Sequence, residues 1–226
     1  MLRWFVVVLA VSLGSPALAA VCAPQNMVRV GSVNATPGLD PASPLARPRM
    51  VHRLGGLFAR IDEGPDPANS MHRVTVIREP DIWIVNRFSK TGQHVQDPGP
   101  VFEVRAPLFQ GPDLPTLFRE LELGCELDFI DAYAPTPQAK VVVGGAKLVR
   151  HQMTIGAQRI EFLVRPPAAR GATRKVYSVG LYVNDQPKSV IRYLTYEIGL
   201  PADMSLFERP KGFNFTQAPA PAPSKP

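Results

Sequence analysis

Residues 175–198 read KVYSVGLYVNDQPKSVIRYLTYEI. Two runs rich in β-branched and aromatic residues flank Asn184-Asp-Gln-Pro187, the strongest β-hairpin signal in the chain. If the turn holds four residues, Val183 faces Lys188. Tyr177, Val179, Leu181 and Val183 then share a core face with Val190, Leu194, Tyr196 and Ile198. Tyr182 and Tyr193 fall on the opposite face, beside Ser178, Gly180, Ser189 and Thr195. Two rings on an outward face would form a platform for an apolar ligand or a partner.

Working outward, Lys147–Ile155 and Arg159–Arg165 are expected as strands joined tightly at Gly156-Ala157, with Lys140–Val143 before them. Upstream, Val74–Val76 and Ile82–Val85 read as strands divided at Glu79-Pro80-Asp81, and Val101–Arg105 as another. One helix is expected: Asp113 is a suitable N-cap, Leu114, Leu117, Phe118 and Leu121 recur at helical spacing, and Gly124 can end it. About eight strands and one helix point to a mainly β fold, an antiparallel β-sandwich or partly open barrel with one packed amphipathic helix. Proline use supports this, since 25 of 226 residues are proline and interior prolines break helices.

The expected organisation runs from a signal peptide at 1–19, through a Pro/Gly-rich N-terminal arm at 20–72, to a single β-rich domain at 73–210. A disordered Pro/Ala tail follows at 211–226. Arg3, the apolar run Trp4–Leu13 and the Ala17-Leu18-Ala19 triplet form the leader, cleaved near Ala19, and imply a periplasmic or secreted protein. A lipidated Cys22 is the competing reading, although Val21 stands where a lipobox has a small residue. In an oxidising compartment Cys22 and Cys125 are expected to form a disulfide. Closing a loop of about 100 residues, it would contribute about 4–5 kcal/mol.

The net charge of +6 is basic but lacks the interleaved aromatic and basic residues of an RNA reader, so no nucleic acid is expected. Basic clusters at Arg47, Arg49, Arg53 and Arg60, and at Arg165, Arg170, Arg174 and Lys175, would suit an anionic membrane surface or an acidic partner. No cofactor is expected. Copper is the open alternative, because thioether and imidazole together select Cu(I) and three histidines lie within two residues of a methionine. Of these, Met50/His52 and His151/Met153 are the candidate ligands, with Met71/His72 the third pair. Against copper, Val149, His151, Met153 and Ile155 share the apolar face of their strand, which reads as core.

The polar stretch Phe88–Pro100 reads as a long loop carrying His94 and Asp97, either a ligand contact or an acid/base pair. Neither G-x-S-x-G nor H-E-x-x-H is present to complete a hydrolase. The expectation is an exported, non-enzymatic binding protein, carrier, chaperone or assembly factor for an apolar ligand or periplasmic protein. A copper protein and a His94/Asp97 hydrolase are the alternatives.

Overall fold

The computed structural model describes residue 22, residues 24–97 and residues 104–217. The leader, its cleavage point, residues 101–103 of the strand expected before Arg105, and residues 218–226 of the tail lie outside the described residues.

Among the described residues twelve strands form one sheet. In chain order they are β1 (Met27–Asn34), β2 (Arg49–Leu54), β3 (Phe58–Glu63), β4 (Arg73–Arg78), β5 (Asp81–Asn86), β6 (Thr91–Gln96), β7 (Ala139–Val143), β8 (Ala146–Ile155), β9 (Gln158–Arg165), β10 (Lys175–Val183), β11 (Gln186–Leu200) and β12 (Asn214–Gln217). The order across the sheet is β12-β6-β5-β4-β3-β2-β1-β11-β10-β9-β8-β7. Two antiparallel meanders, β1–β6 and β7–β11, are thus joined where β1 pairs with β11, and β12 runs parallel to its neighbour, β6. β7 and β12 stand at the two ends, so the sheet is not a closed barrel.

Segment 20–72 is no loose arm in this arrangement, because β1–β3 occupy the middle of the sheet. Its prolines fall between strands, where the missing N–H costs no ladder bond. The tail expected from residue 211 also contributes structure, since Asn214–Gln217 forms β12. The expected polar loop at 88–100 contains β6, paired to β5 from Asp81↔Gln96 to Asn86↔Thr91. Its sequence, TGQHVQ, lacks an apolar period. Cross-strand pairing decides the conformation here rather than intrinsic preference.

Between β6 and β7 the chain crosses one face of the sheet, here called the inner face. Among its described residues this crossing forms two short helices, α1 (Thr116–Arg119) and α2 (Glu126–Tyr133). The single helix expected over 113–121 shrinks to one turn, entered from Pro115. Leu114, Phe118 and Leu121 still enter the core. Helix α2 follows Gly124-Cys125 and buries Leu127, Phe129 and Ile130. These side chains meet Val30, Val51, Ile160, Phe162, Val164 and Val179 from the sheet. Each such burial contributes about 1.5–3 kcal/mol. Gly124 has φ +91, and a Cβ there would stand 2.9 Å from Val28 Cγ2. Only glycine accommodates both the left-handed backbone and that approach.

Cys125 forms the disulfide with Cys22, 103 residues away. The bridge fixes the start of α2 to the segment preceding β1. On the outer face, Val74, Val76, Trp83 and Val85 form a smaller cluster with Phe213 and Phe215. Phe207 is fully buried, and its ring centroid lies 5.6 Å from that of Phe58.

The hairpin that decides the fold turns one step earlier than expected. Val183 faces Gln186, and Asn184 and Asp185 have φ of +49 and +59, as a two-residue type I′ turn requires. Two bulges then change which side chains point inward. One lies between Leu181 and Tyr182. In the other, Gly31 faces Thr195 while Ser32 faces Tyr193, leaving Leu194 as the extra residue. A bulge shifts the alternation by one. Tyr193 and Tyr196 therefore both face inward, whereas Leu194 is 56% exposed. The expected outward position of Tyr193 and core position of Leu194 are corrected together.

Candidate functional site

β10 and β11 are hydrogen-bonded only from Val183↔Gln186 to Ser178↔Arg192. Beyond that pair they part. β10 stays with β9 through Val176↔Val164 and Lys175↔Arg165, while β11 stays with β1 as far as Met27↔Leu200. The resulting slit, with the 166–174 connection beside it, encloses about 710 Å³. Val176, Tyr177, Leu194 and Ile198 supply apolar walls, with Tyr193 and Tyr196 between them. At the rim, Arg165 and Lys175 face each other across the β9–β10 pair. Neither belongs to an ion pair among the described residues, and the Arg165 guanidinium lies 5.8 Å from the Tyr177 ring centroid. Arg174 is committed elsewhere, donating to both carboxylate oxygens of Asp131 on α2 at 2.7 and 2.8 Å.

The two tyrosines are held from beneath by Glu126, the first residue of α2. Tyr196 Oη donates to Glu126 Oε2 at 2.9 Å, as does the Gly124 N–H, and Tyr193 Oη donates to Oε1. Glu126 is fully buried. Burial pushes its carboxyl above the ordinary range, outweighing four hydrogen bonds that act the other way, those from Tyr193, Tyr196, Gly124 and its own backbone N–H. Burial and the adjoining Glu126 likewise push both tyrosine hydroxyls up.

A second buried cluster lies beside the first. Arg53 and Glu122 are both fully buried and meet at 2.8 Å. Arg53 also donates to the carbonyls of Leu123 at 3.0 Å, Val104 at 2.9 Å and Cys22 at 3.3 Å. Glu122 accepts in addition from Arg105 Nε at 2.7 Å and the Ala106 N–H at 3.2 Å. The crossing segment is thereby locked to β2. Neither acid stands out in the sequence by residue type or motif. A usable signal existed, because Glu122 and Glu126 bracket Leu-Gly-Cys within an apolar stretch, and acids so placed need buried partners.

No protein-family model matches this chain, and no curated protein sequence matches it either. Among solved structures, a conserved protein from Thermus thermophilus described as uncharacterized aligns over 86% of this chain and 91% of its own. Its identity is 8% and its TM-score 0.42. A LolA superfamily protein from Nitrosomonas europaea aligns over 84% of this chain and 93% of its own, with 11% identity and a TM-score of 0.32. PNGF-II aligns over 85% of this chain and 31% of its own at the same identity and TM-score. At these scores the likenesses carry no argument for fold or function.

The residues expected as sites are dispersed. Tyr182 lies on the outer face beneath Arg159, whose guanidinium is 4.2 Å from the ring centroid. Tyr193 is on the inner face, so the two rings form no common platform. His94 is in β6 rather than a loop, stacked on Trp83 with centroids 5.6 Å apart. Its carboxylate partner is Asp81, 2.7 Å from Nε2. Asp97 uses its backbone N–H on the Pro80 carbonyl. No serine or cysteine is hydrogen-bonded to His94 among the described residues.

His151 is buried on the inner face and donates from Nδ1 to the Ala134 carbonyl at 2.8 Å, and Met153 packs against the core. Met50 and His52 lie on the outer face, paired to Asp62 and Arg60. The two His/Met pairs are therefore on opposite faces and five strand steps apart. Burial holds His52 below the ordinary imidazole range. No cluster of three or more His, Cys, Asp or Glu suited to a metal ion occurs among the described residues.

Proposed function

We propose that this protein is an exported binding protein that holds an amphiphile with an anionic head in the slit between β10 and β11. The parting of two otherwise paired strands supports this reading, because it opens an aromatic and aliphatic surface beside two cations that belong to no ion pair among the described residues, while Glu197, the acid lining the slit, is held by Arg29. Ligand sites of this kind are mostly apolar, with a few polar groups fixing orientation. The tail of the ligand would lie along Val176, Leu194 and Ile198, and its head would meet Arg165 and Lys175. The Cys22–Cys125 bridge supports export, since stable disulfides belong to oxidising compartments.

Titration with dodecanoate and with dodecanol tests the assignment. The carboxylate should bind more tightly than the alcohol, and Arg165→Ser/Lys175→Ser should remove that preference while leaving the alcohol's affinity unchanged. Equal affinities in the unaltered protein would refute the role of the rim. Absence of binding by both would refute the slit as the site.

A further inference from the structure

Away from the slit, the loops around the β5–β6 hairpin expose apolar and basic side chains together. Phe88, in the turn, is 48% exposed, and Met71, just before β4, is 42% exposed. Asn86 ties these loops to each other. Its Nδ2 donates to the Ser70 carbonyl at 2.9 Å, and its Oδ1 accepts from the N–H groups of His72 and Phe88 at 3.0 and 3.1 Å. The His72 and Phe88 rings are 5.9 Å apart, so Met71 and Phe88 belong to one fixed surface rather than to two independent loop tips.

Cations surround this surface. Arg73 and Arg87 flank it, and Lys90 closes the hairpin with its carbonyl accepting from the Asn214 N–H at 2.9 Å. Asn214 brings the outer-face segment Arg209–Phe213 alongside. There Lys90 Nζ lies 5.5 Å from the Phe213 centroid, and the Arg209 guanidinium 4.7 Å from that of Phe215. The nearby acids Asp62 and Glu63 are engaged, Asp62 by Arg60 and Arg87 and Glu63 by Arg73. Asp66, bridged to Met71, is engaged by Arg47, and Glu208 lies next to Arg209. Lys90, Arg209 and Lys211 are exposed and have no carboxylate partner among the described residues.

We propose that this end of the sheet docks on the surface of a phospholipid bilayer rich in anionic head groups. Lys90, Arg209 and Lys211 would meet the head groups while Phe88 and Met71 enter the interfacial layer. The charge distribution decides for a bilayer over a small soluble anion. The cations border an exposed apolar pair, and a small anion would have no use for that pair, whereas peripheral membrane binding combines apolar insertion with basic attraction. The surface is five strand steps from the slit along the sheet, from β11 to β5, so the two proposals stand or fall separately.

Flotation of the oxidised full-length mature protein tests it, using vesicles of phosphatidylcholine and vesicles of equimolar phosphatidylcholine and phosphatidylglycerol. The protein should float with the anionic vesicles only, and added salt should release it. Lys90→Asn/Lys211→Gln should weaken binding about 30-fold, asparagine being chosen because position 90 has φ +56. Phe88→Ser should weaken it about tenfold. The control Lys140→Gln/Lys147→Gln, exposed on β7 and β8, should leave binding unchanged. Flotation with neither vesicle, or with both equally, would overturn the proposal. So would an unaffected Lys90/Lys211 variant, or a control pair that weakens binding as much.

Discussion

The buried pair Arg53–Glu122 makes a double-mutant cycle informative. Replacing Glu122 with Leu leaves the Arg53 guanidinium in the core facing only carbonyl dipoles, and an arginine cannot escape by releasing its proton. Removing one partner of a buried ion pair costs about 3–5 kcal/mol, so Glu122→Leu should destabilise by that amount. Arg53→Met should cost about as much, because it leaves the fully buried Glu122 with Arg105 as its one cation and frees the carbonyls of Leu123, Val104 and Cys22. In the double variant no buried unpaired charge remains, since Arg105, which also loses Glu122, is 45% exposed and reaches water. The residual cost is the orphaned backbone groups at about 1 kcal/mol each, which predicts a loss of about 3–4 kcal/mol, no larger than either single change. Urea unfolding at fixed pH, with Cys22–Cys125 oxidised, gives all four stabilities. Additive losses, agreeing within about 0.5 kcal/mol, would show that the two side chains are stabilised independently and would refute this account of the lock.

Two further outcomes are expected. Glu126 binds its proton more tightly in the folded protein, so stability should fall as pH rises from about 4 toward its folded value. Glu126→Gln should flatten that slope in urea midpoints measured across the range, and an unchanged slope would exclude Glu126 as its source. Asp66 and Glu197, both held below the ordinary range, act oppositely at acid pH and are common to both proteins. The corrected register also separates two tyrosines: Tyr193→Ser should cost about 3–5 kcal/mol by thermal melting, and Tyr182→Ser less than about 1 kcal/mol. The reverse ranking would restore the unbulged register.

Much of the strand content was legible from a period of two, clearest in β9, where Ile160, Phe162 and Val164 are buried on one face. His151 and Met153 were placed on the core side by that period alone. Tyr193 was misplaced because the bulge opposite Leu181 and Tyr182, with Lys188 as its extra residue, leaves no compositional trace and inverts the side chains that follow, until the second bulge at Leu194 returns Tyr196 to the expected side. The β6 strand was invisible for a related reason: its apolar contacts are few and its partners are backbone groups on β5 and β12. Helix α2 has only eight residues, too few for a period to emerge beside the prolines at 135 and 137. The slit could not be read at all, since it arises where two strands separate rather than from any residue type.

The joining of β1 to β11 governs how the chain can assemble. As the polypeptide emerges from its N-terminus, β1 to β6 can close hairpin by hairpin, each from local sequence. The free edge of β1 must wait until residue 200 is available, because Met27 lies opposite Leu200. Throughout that interval an unpaired strand edge is offered to any other chain nearby, and the closing contact is the most distant and the slowest to find. Cys125 arrives well before β11, so the crossing segment can be tethered beneath the unfinished sheet first. A chain cut after β10 would keep every earlier hairpin and lose the junction where Tyr193 and Tyr196 reach Glu126.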